Sequence, residues 1–400
     1  MNRILYIKTL KDVQRELEKI NVSSQGIGLM AQKALELSIK LTNVHIGAAN
    51  ILKQEMLSIG GDAAVARGVV NGIEKHSDMI LLGNADKIKK LIKKLENQTI
   101  FGLPDIKEDL KMLLQEFLEK PAKSINCNGK ILDLSRIKIM GVLNVTPNSF
   151  SDGTKFLDTG KAVEHALEMI NEGADIIDIG GESTRPNAEK IDIQTEMDRV
   201  IPVIEKLQQE TDIPISIDTY KAEVAEKAIE KGASIVNEIS ALRFDNKMVD
   251  VLKKYRNIPV ILMHMQGTPQ TMQKNPYYED TIEEILQFFK ERIKFCNSNG
   301  IEKERIIIDP GIGFGKRHID NLVILKKLSE FKCFGLPIMI GSSRKSFIGR
   351  IYKSKSTDRL EGSLAATALA FQNGVEIIRV HDVKEHKRFL QTLQSIKEIK

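Results

Sequence analysis

Residues 174–181 read ADIIDIGG, a short apolar run that ends on a carboxylate and two glycines. Its apolar residues do not alternate with polar ones, as a half-solvated strand would require, so it suits a parallel strand buried on both faces. The same texture recurs seven times in the surrounding chain: IKIMGVLNV (137–145), IPISIDT (213–219), SIVNEIS (234–240), IPVILMHM (258–265), RIIIDPG (305–311), PIMIGSS (337–343) and EIIRVHDV (376–383). Amphipathic helical stretches lie between them, among them 162–171, 194–209, 221–231, 280–297 and 360–372. Eight strand–helix units in about 270 residues predict an α/β protein built on a (β/α)8 TIM barrel. A doubly wound open sheet is the alternative, and the count of eight favours closure.

Upstream, the texture breaks in KPAKSINCNGKILDLSR (120–136), which places a boundary between residues 1–122 and 123–400. The first segment opens with a candidate strand at 3–8 and continues helix-rich through VHIGAANILKQEMLSIGGDAAVARG (44–68). SDMILLGN (77–84) reads as a buried strand feeding a lysine-rich amphipathic helix at 86–96, and a second helix at 105–120 stops at Pro121. This is a small α/β domain. The lysines of KIKKLIKK (87–94) sit at helical spacing beside Ile88, Leu91 and Ile92 and form a solvated face. The turn Gly60-Gly61-Asp62 is more an ordinary connection than a binding loop.

Composition narrows the function classes. The 400 residues are 42% hydrophobic and 28% charged, a globular balance rather than a disordered one. No run of about 20 uncharged apolar residues occurs, so no membrane span is expected. The start, MNRILYIKTLKDVQRELEK, gains charge too early for a signal peptide. Cys127, Cys296 and Cys333 lie far apart with no CxxC pair, which argues against a disulfide framework and for a reducing cytoplasm. A net charge of +5, 5% aromatics and no Trp argue against nucleic acid as a partner.

Each strand ends on a polar residue: in order Asn144, Asp178, Asp218, Asn237, His264, Asp309, Ser343, and Arg379 with His381. One such residue is an unremarkable cap or turn former. Eight around one rim mark an active site, because barrel active sites are built at the C-terminal strand ends. Thr184 and Arg185, in GESTRP, pair a hydroxyl with a planar cation and suit an anionic oxygen. Arg379 and His381 share one face at strand period and, with Asn144, form a second anion or metal–phosphate candidate. Asp178, Asp218 and Asp309 with Asn237 can hold a divalent metal, or can accept hydrogen bonds from a flat, donor-rich heterocycle. Lys345 stands where it can donate to the same ligand. GIGFGK (311–316) lacks the full dinucleotide fingerprint, and neither GxxxxGK[ST] nor HExxH occurs.

Seven of these segments, taken in order, resemble the dihydropteroate synthase family: IMGVLNVTPNSFSDG (139–153), GADIIDIGGESTRP (173–186), PISIDTYK (214–221), GASIVNEIS (232–240), RIIIDPGIGFGK (305–316), GSSRKSFIG (341–349) and IIRVHDV (377–383). The resemblance covers about two-thirds of the chain, each motif falling on a successive loop of the barrel. It implies a transferase of folate biosynthesis that condenses (7,8-dihydropterin-6-yl)methyl diphosphate with 4-aminobenzoate, releasing dihydropteroate and diphosphate. It further implies Mg2+ held with the diphosphate by Asn144, with Thr184, Arg185, Arg379 and His381 around the same anion. The pterin pocket would comprise Asp178, Asp218, Asn237, Met263, Asp309, Lys345 and Arg379. Phe150, Pro186, Phe314 and Ser346 would receive the aminobenzoate, for which sulfonamides compete. Asp152, Lys345, Arg379 and His381 would be catalytic, Asp152 by stabilising a pterin-methylene cation at close range. Homodimers are common in the family.

Asn148, Thr154 and Glu238 depart from the family pattern, which usually has Asp, Gly and Asp there. The larger departure is the segment 1–122, which resembles neither the barrel nor the pyrophosphokinase that is fused to some members. Two other functions compete with synthesis of dihydropteroate. A pterin-dependent methyltransferase on the same barrel would share the Asp/Asn pocket without needing Thr184, Arg185 or the Arg379/His381 pair. A catalytically silent scaffold would need none of them.

Overall fold

The structure is a computed structural model that describes every residue except 1, 8, 71, 73, 119–123, 147–154, 184–188 and 400. Contacts divide the chain into two compact units, Met1–Lys120 and Pro121–Lys400. The boundary read from the sequence, between 122 and 123, falls among residues outside the described set.

The first unit is a three-stranded antiparallel sheet with helices packed on it. Its strands β1 (Glu36–His45), β2 (Asp62–Val65) and β3 (His76–Asn84) lie in the order β1-β3-β2. Helices Ile46–Ser58, Ala85–Lys94 and Leu103–Leu118 supply the other half of a core that includes Leu52, Met56, Leu81, Ile88, Leu91 and Leu110. Asn84 starts the second of these by accepting a hydrogen bond from Lys87 N at 3.2 Å, and Lys89, Lys90 and Lys93 face solvent. Two expectations need correction. Residues 2–7 form no strand, because they pair with no sheet edge, and Ile4 and Tyr6 stand exposed. In the apolar run of β3, Met79 and Leu81 are buried, while Ile80 and Leu82 are each 41% exposed. A strand in an antiparallel sheet covered on one face must bury every second residue, however apolar its sequence.

The second unit opens with a hairpin inside the stretch where the sequence texture breaks, β4 (Ser124–Cys127) and β5 (Lys130–Asp133). Eight parallel strands follow: β6 (Lys138–Asn144), β7 (Ile176–Gly180), β8 (Ile215–Asp218), β9 (Ile235–Glu238), β10 (Val260–Met263), β11 (Ile306–Asp309), β12 (Met339–Ile340) and β13 (Ile377–Val380). Their order, β11-β10-β9-β8-β7-β6-β13-β12, is a continuous ring. A parallel bridge between Ile308 and Ile338 closes it, with Ile308 N donating to Pro337 O at 3.0 Å. The closed barrel excludes the open-sheet alternative. Helices surround it and bury a single large core with the outward faces of the strands.

The hairpin closes the N-terminal end of the barrel. Ile125, Cys127, Leu132 and Leu134 pack with Met140, Ile176, Ile235, Ile261, Ile307, Met339 and Ile377, one residue from nearly every strand. Asn128 N donates to Asn257 O at 2.9 Å and Lys130 Nζ to Ile213 O at 3.0 Å. One end is thereby plugged with apolar side chains, which leaves the C-terminal end as the open mouth.

Candidate active site

Strand register sets the rim. Gly180 pairs with Asp218, Asp218 with Asn237, and Met263 with Asp309, so residues dispersed over about 130 positions become neighbours at one barrel end. Asp178 stands two residues below the end of β7 and is fully buried. Arg379, from β13, reaches across the mouth: its Nε donates to Asp178 Oδ2 at 2.6 Å and its Nη2 to Asp218 Oδ2 at 2.8 Å. Asn237 Nδ2 donates to the same Asp178 oxygen at 3.0 Å. One guanidinium thus orders two carboxylates and a carboxamide.

The second oxygen of each carboxylate is different. Asp178 Oδ1 and Asp218 Oδ1 are buried and lack a hydrogen-bond partner. Unpaired buried acceptors are costly, about 1–3 kcal/mol each, and persist where a ligand supplies the donor. Both belong to carboxylates bonded to Arg379, and two spare acceptors beside a guanidinium fit a donor-rich heterocycle better than a metal. Among the described residues no group of three His, Cys, Asp or Glu side chains is arranged to hold a metal ion.

The sixth strand and seventh loop complete the pocket. Asp309 is buried and accepts from Gly311 N at 2.8 Å. Lys345 Nζ lies 4.7 Å from the centre of the Phe314 ring and donates to Ile312 O. Met263 is buried in a small apolar cluster with Ile239, Met265 and Met272, against which Phe314 packs. Ser346 is the first residue of the helix Ser346–Tyr352 and is exposed. His381 Nδ1 lies 3.2 Å from Ser343 Oγ, and Asn144 ends β6 half-buried. Phe150, Asp152, Thr184, Arg185 and Pro186 lie outside the described residues, as do Asn148 and Thr154.

Burial sets the ionisation of the pocket. It raises the Asp218 carboxyl to about 7, against the pull of Arg379 and with the nearby Asp178 adding to the rise. It also raises Asp309, opposed by Lys345 and by the Gly311 hydrogen bond. Lys345 is lowered to about 8, again by burial first, with Asp309 resisting and Arg379 assisting. For Arg379, burial works against the charge, yet Asp178 and Asp218 outweigh it and hold the guanidinium above its ordinary value.

Sequence comparison assigns this architecture. Residues 140–381 match the family described as pterin binding enzyme. The dihydropteroate synthase of Escherichia coli (strain K12) is 45% identical over 267 residues, which cover 67% of this chain and 94% of that protein. The chain belongs to the dihydropteroate synthase family. Among solved structures, a Xanthomonas albilineans dihydropteroate synthase with 4-aminobenzoic acid is 41% identical and superposes with a TM-score of 0.66, covering 70% of this chain and all of that one. A probable bifunctional folylpolyglutamate synthase/dihydropteroate synthase of Haloferax volcanii is 34% identical over 389 residues, 95% of this chain and 46% of its own. That alignment extends beyond the barrel into most of the first unit.

Three polar assemblies at the rim of this synthase-family barrel were missed in the sequence. Lys221 Nζ contacts Glu182 Oε2 at 2.5 Å, Glu196 Oε2 at 2.6 Å and Ile191 O at 2.7 Å, while Tyr220 donates to Glu182 Oε1 at 3.1 Å. The pair joins the loop after β8 to both sides of the loop after β7. Arg344 forms a two-pronged ion pair with Asp382, its Nε 3.0 Å from Oδ2, which links the loop bearing Lys345 to the one bearing His381. Lys316 is buried against His264. Each partner is an ordinary charged residue in isolation, and only the lysine that closes GIGFGK carried a local signal, being held beside three glycines.

Proposed function

We propose that this rim carries out the family's reaction with the residue roles set out below. The chain is a transferase of folate biosynthesis: it joins (7,8-dihydropterin-6-yl)methyl diphosphate to 4-aminobenzoate, giving 7,8-dihydropteroate and diphosphate. The observation that carries the assignment of roles is the pair of buried, unpartnered oxygens on Asp178 and Asp218 beside Arg379. Pterin amino and ring N–H groups would donate to them. Asn237 orients Asp178, Asp309 accepts from the ring, Lys345 donates to it, and Met263 packs on its face.

The aromatic amine is a weak nucleophile, so the protein gains most by making the methylene electrophilic. The C–O bond to diphosphate breaks with its electron pair passing to oxygen, and the cation left behind delocalises into the dihydropterin. Asp152, Asp178 and Asp218 support that positive charge, while Arg379, His381, Thr184 and Arg185 take the charge on the leaving oxygens. The aminobenzoate nitrogen then forms the C–N bond and releases its proton. Phe150, Pro186, Phe314 and Ser346 shape its slot and exclude water.

Asn144 supplies one carboxamide oxygen at a strand end, a donor set suited to a magnesium ion carried mainly by diphosphate and water. When bound, Mg2+ would neutralise charge on the leaving group. A cytoplasmic location and a homodimer complete the reading; the first rests on the cysteine pattern and the second on the family.

The test is diphosphate release from synthetic dihydropterin diphosphate, with and without 4-aminobenzoate. Dihydropteroate should form with both substrates, and slow diphosphate release should persist without the amine. Release that strictly requires the amine would remove the stepwise cation, and no turnover would remove the whole reading. Alanine at Phe150 should raise the KM for aminobenzoate and spare pterin affinity, the reverse of alanine at Asp218.

A further inference from the structure

Lys316 is only 3% exposed, and the three groups within its hydrogen-bond reach carry no negative charge. Its Nζ lies 2.8 Å from His264 Nδ1, 3.1 Å from Phe314 O and 3.3 Å from His264 O. A lysine without a carboxylate contact at such depth does not repay its desolvation by ion pairing. What it does instead is bind together two segments of backbone, the end of β10 and the loop after β11.

Those two segments are stacked with no room for side chains between them. A Cβ on Gly311 would lie 2.0 Å from His264 O, and one on Gly315 would lie 2.6 Å from Gln266 O; both glycines also have positive φ, at 71° and 62°. Lys316 reaches back along this seam. Burial keeps both His264 and Lys316 well below their ordinary pKa values, so the imidazole is neutral near pH 7 and Nδ1 can accept from the lysine. The His264 ring is itself fixed, edge-on to Phe288 at 4.7 Å between centroids.

The loop held this way presents two groups to the mouth. Phe314 stands on it directly, and Ile312 O receives the Lys345 ammonium. Asp178 and Asp218 are ordered separately, through Arg379 and Asn237. We propose that Lys316, acting through His264, is a positioning residue that fixes Phe314 for the attack of aminobenzoate. This rests on the reading of Phe314 as part of the aminobenzoate slot.

The full chain should be compared with K316M, H264L, H264N and the control F314A, measuring kcat, both KM values, melting temperature, and the dissociation constant of dihydropterin diphosphate without aminobenzoate. K316M and H264L should raise the KM for aminobenzoate by about tenfold and lower kcat, while the pterin dissociation constant moves by less than about threefold. H264N, whose amide oxygen can stand near the position of Nδ1, should recover most of what H264L loses. Unchanged kinetics in K316M, equal losses for both substrates that track the melting temperature, or H264N as impaired as H264L would each overturn the proposal. If K316M does not fold, the two His264 variants decide alone. A normal aminobenzoate KM in F314A would instead sink the slot assignment, whatever K316M does.

Discussion

Arg379 Nε lies 2.6 Å from Asp178 Oδ2, although 201 residues separate them in the chain. The ion pair crosses the mouth of the barrel and leaves the other Asp178 oxygen buried without a hydrogen-bond partner. One basic residue therefore makes two buried carboxylates tolerable together.

Removing that guanidinium strands both carboxylates. Arg379→Met should lower kcat/KM for dihydropterin diphosphate by at least 100-fold, equivalent to about 3 kcal/mol. Steady-state kinetics checks this, and a loss under tenfold would mean that the arginine is only a structural counter-ion.

Asp178→Asn keeps shape and changes chemistry. One face of the carboxamide would turn a donor toward a ligand that already offers donors. The affinity for the dihydropterin diphosphate should fall by about 10–100-fold, the cost of one mismatched buried hydrogen bond. Titration calorimetry without aminobenzoate reads this directly, and unchanged affinity would displace Asp178 from the pterin pocket.

The pocket has a narrow ionisation window. Asp218 titrates at about 7 and Lys345 at about 8 in the free protein. Below the first, the carboxyl is protonated and loses its ionic bond to Arg379; above the second, the lysine loses its charge. Plots of kcat/KM against pH should therefore rise through about 7 and fall through about 8. Asp218→Asn should abolish the acid limb and Lys345→Arg should move the alkaline limb upward. Stability moves oppositely on the acid side. The folded protein holds the Asp218 proton more tightly than the unfolded chain, so this group's contribution to stability declines as pH rises from about 4 to about 7.

Lys221 is the sole cation bonded to both Glu182 and Glu196 among the described residues, and Glu196 is 1% exposed. Lys221→Met should destabilise the barrel by about 3–5 kcal/mol, because it leaves uncompensated buried charge. Combining it with Glu196→Gln should restore part of that loss. Denaturant unfolding of the single and double variants measures the coupling.

At the closed end, Ile125 is 3% exposed within the apolar floor. Ile125→Ala should cost about 2–4 kcal/mol of stability and leave both KM values unchanged, since the floor is at the opposite end from the rim. A thermal melt and a kinetic assay on the same sample check both halves.

The plug illustrates where sequence reading stops. In residues 124–133 the apolar positions Ile125, Cys127, Ile131 and Leu132 are few and the strands have four residues each, so they carry no periodic signal that marks them as strands. The burial of Ile125, Cys127 and Leu132 comes from the barrel they cap, not from their own pattern. The segment 77–84 errs in the other direction: its unbroken apolar run looks doubly buried, yet pairing antiparallel in a one-sided sheet exposes Ile80 and Leu82.

The order of strands and helices from residue 137 onward, and a polar residue within three positions of each strand end, were determined by the chain itself. Hydrophobic burial acts over a few residues, and a run such as ADIIDIGG states its environment locally. Which of those termini touch was decided only by closure of the ring. Spacing along β13 puts Arg379 and His381 on one face, but only the fold sends the Arg379 bonds to Asp178 and Asp218 and brings His381 to Ser343. Register between neighbouring strands and reach across the mouth are long-range quantities, so pairings such as Lys316 with His264 or Lys221 with two glutamates exist only once the barrel has closed.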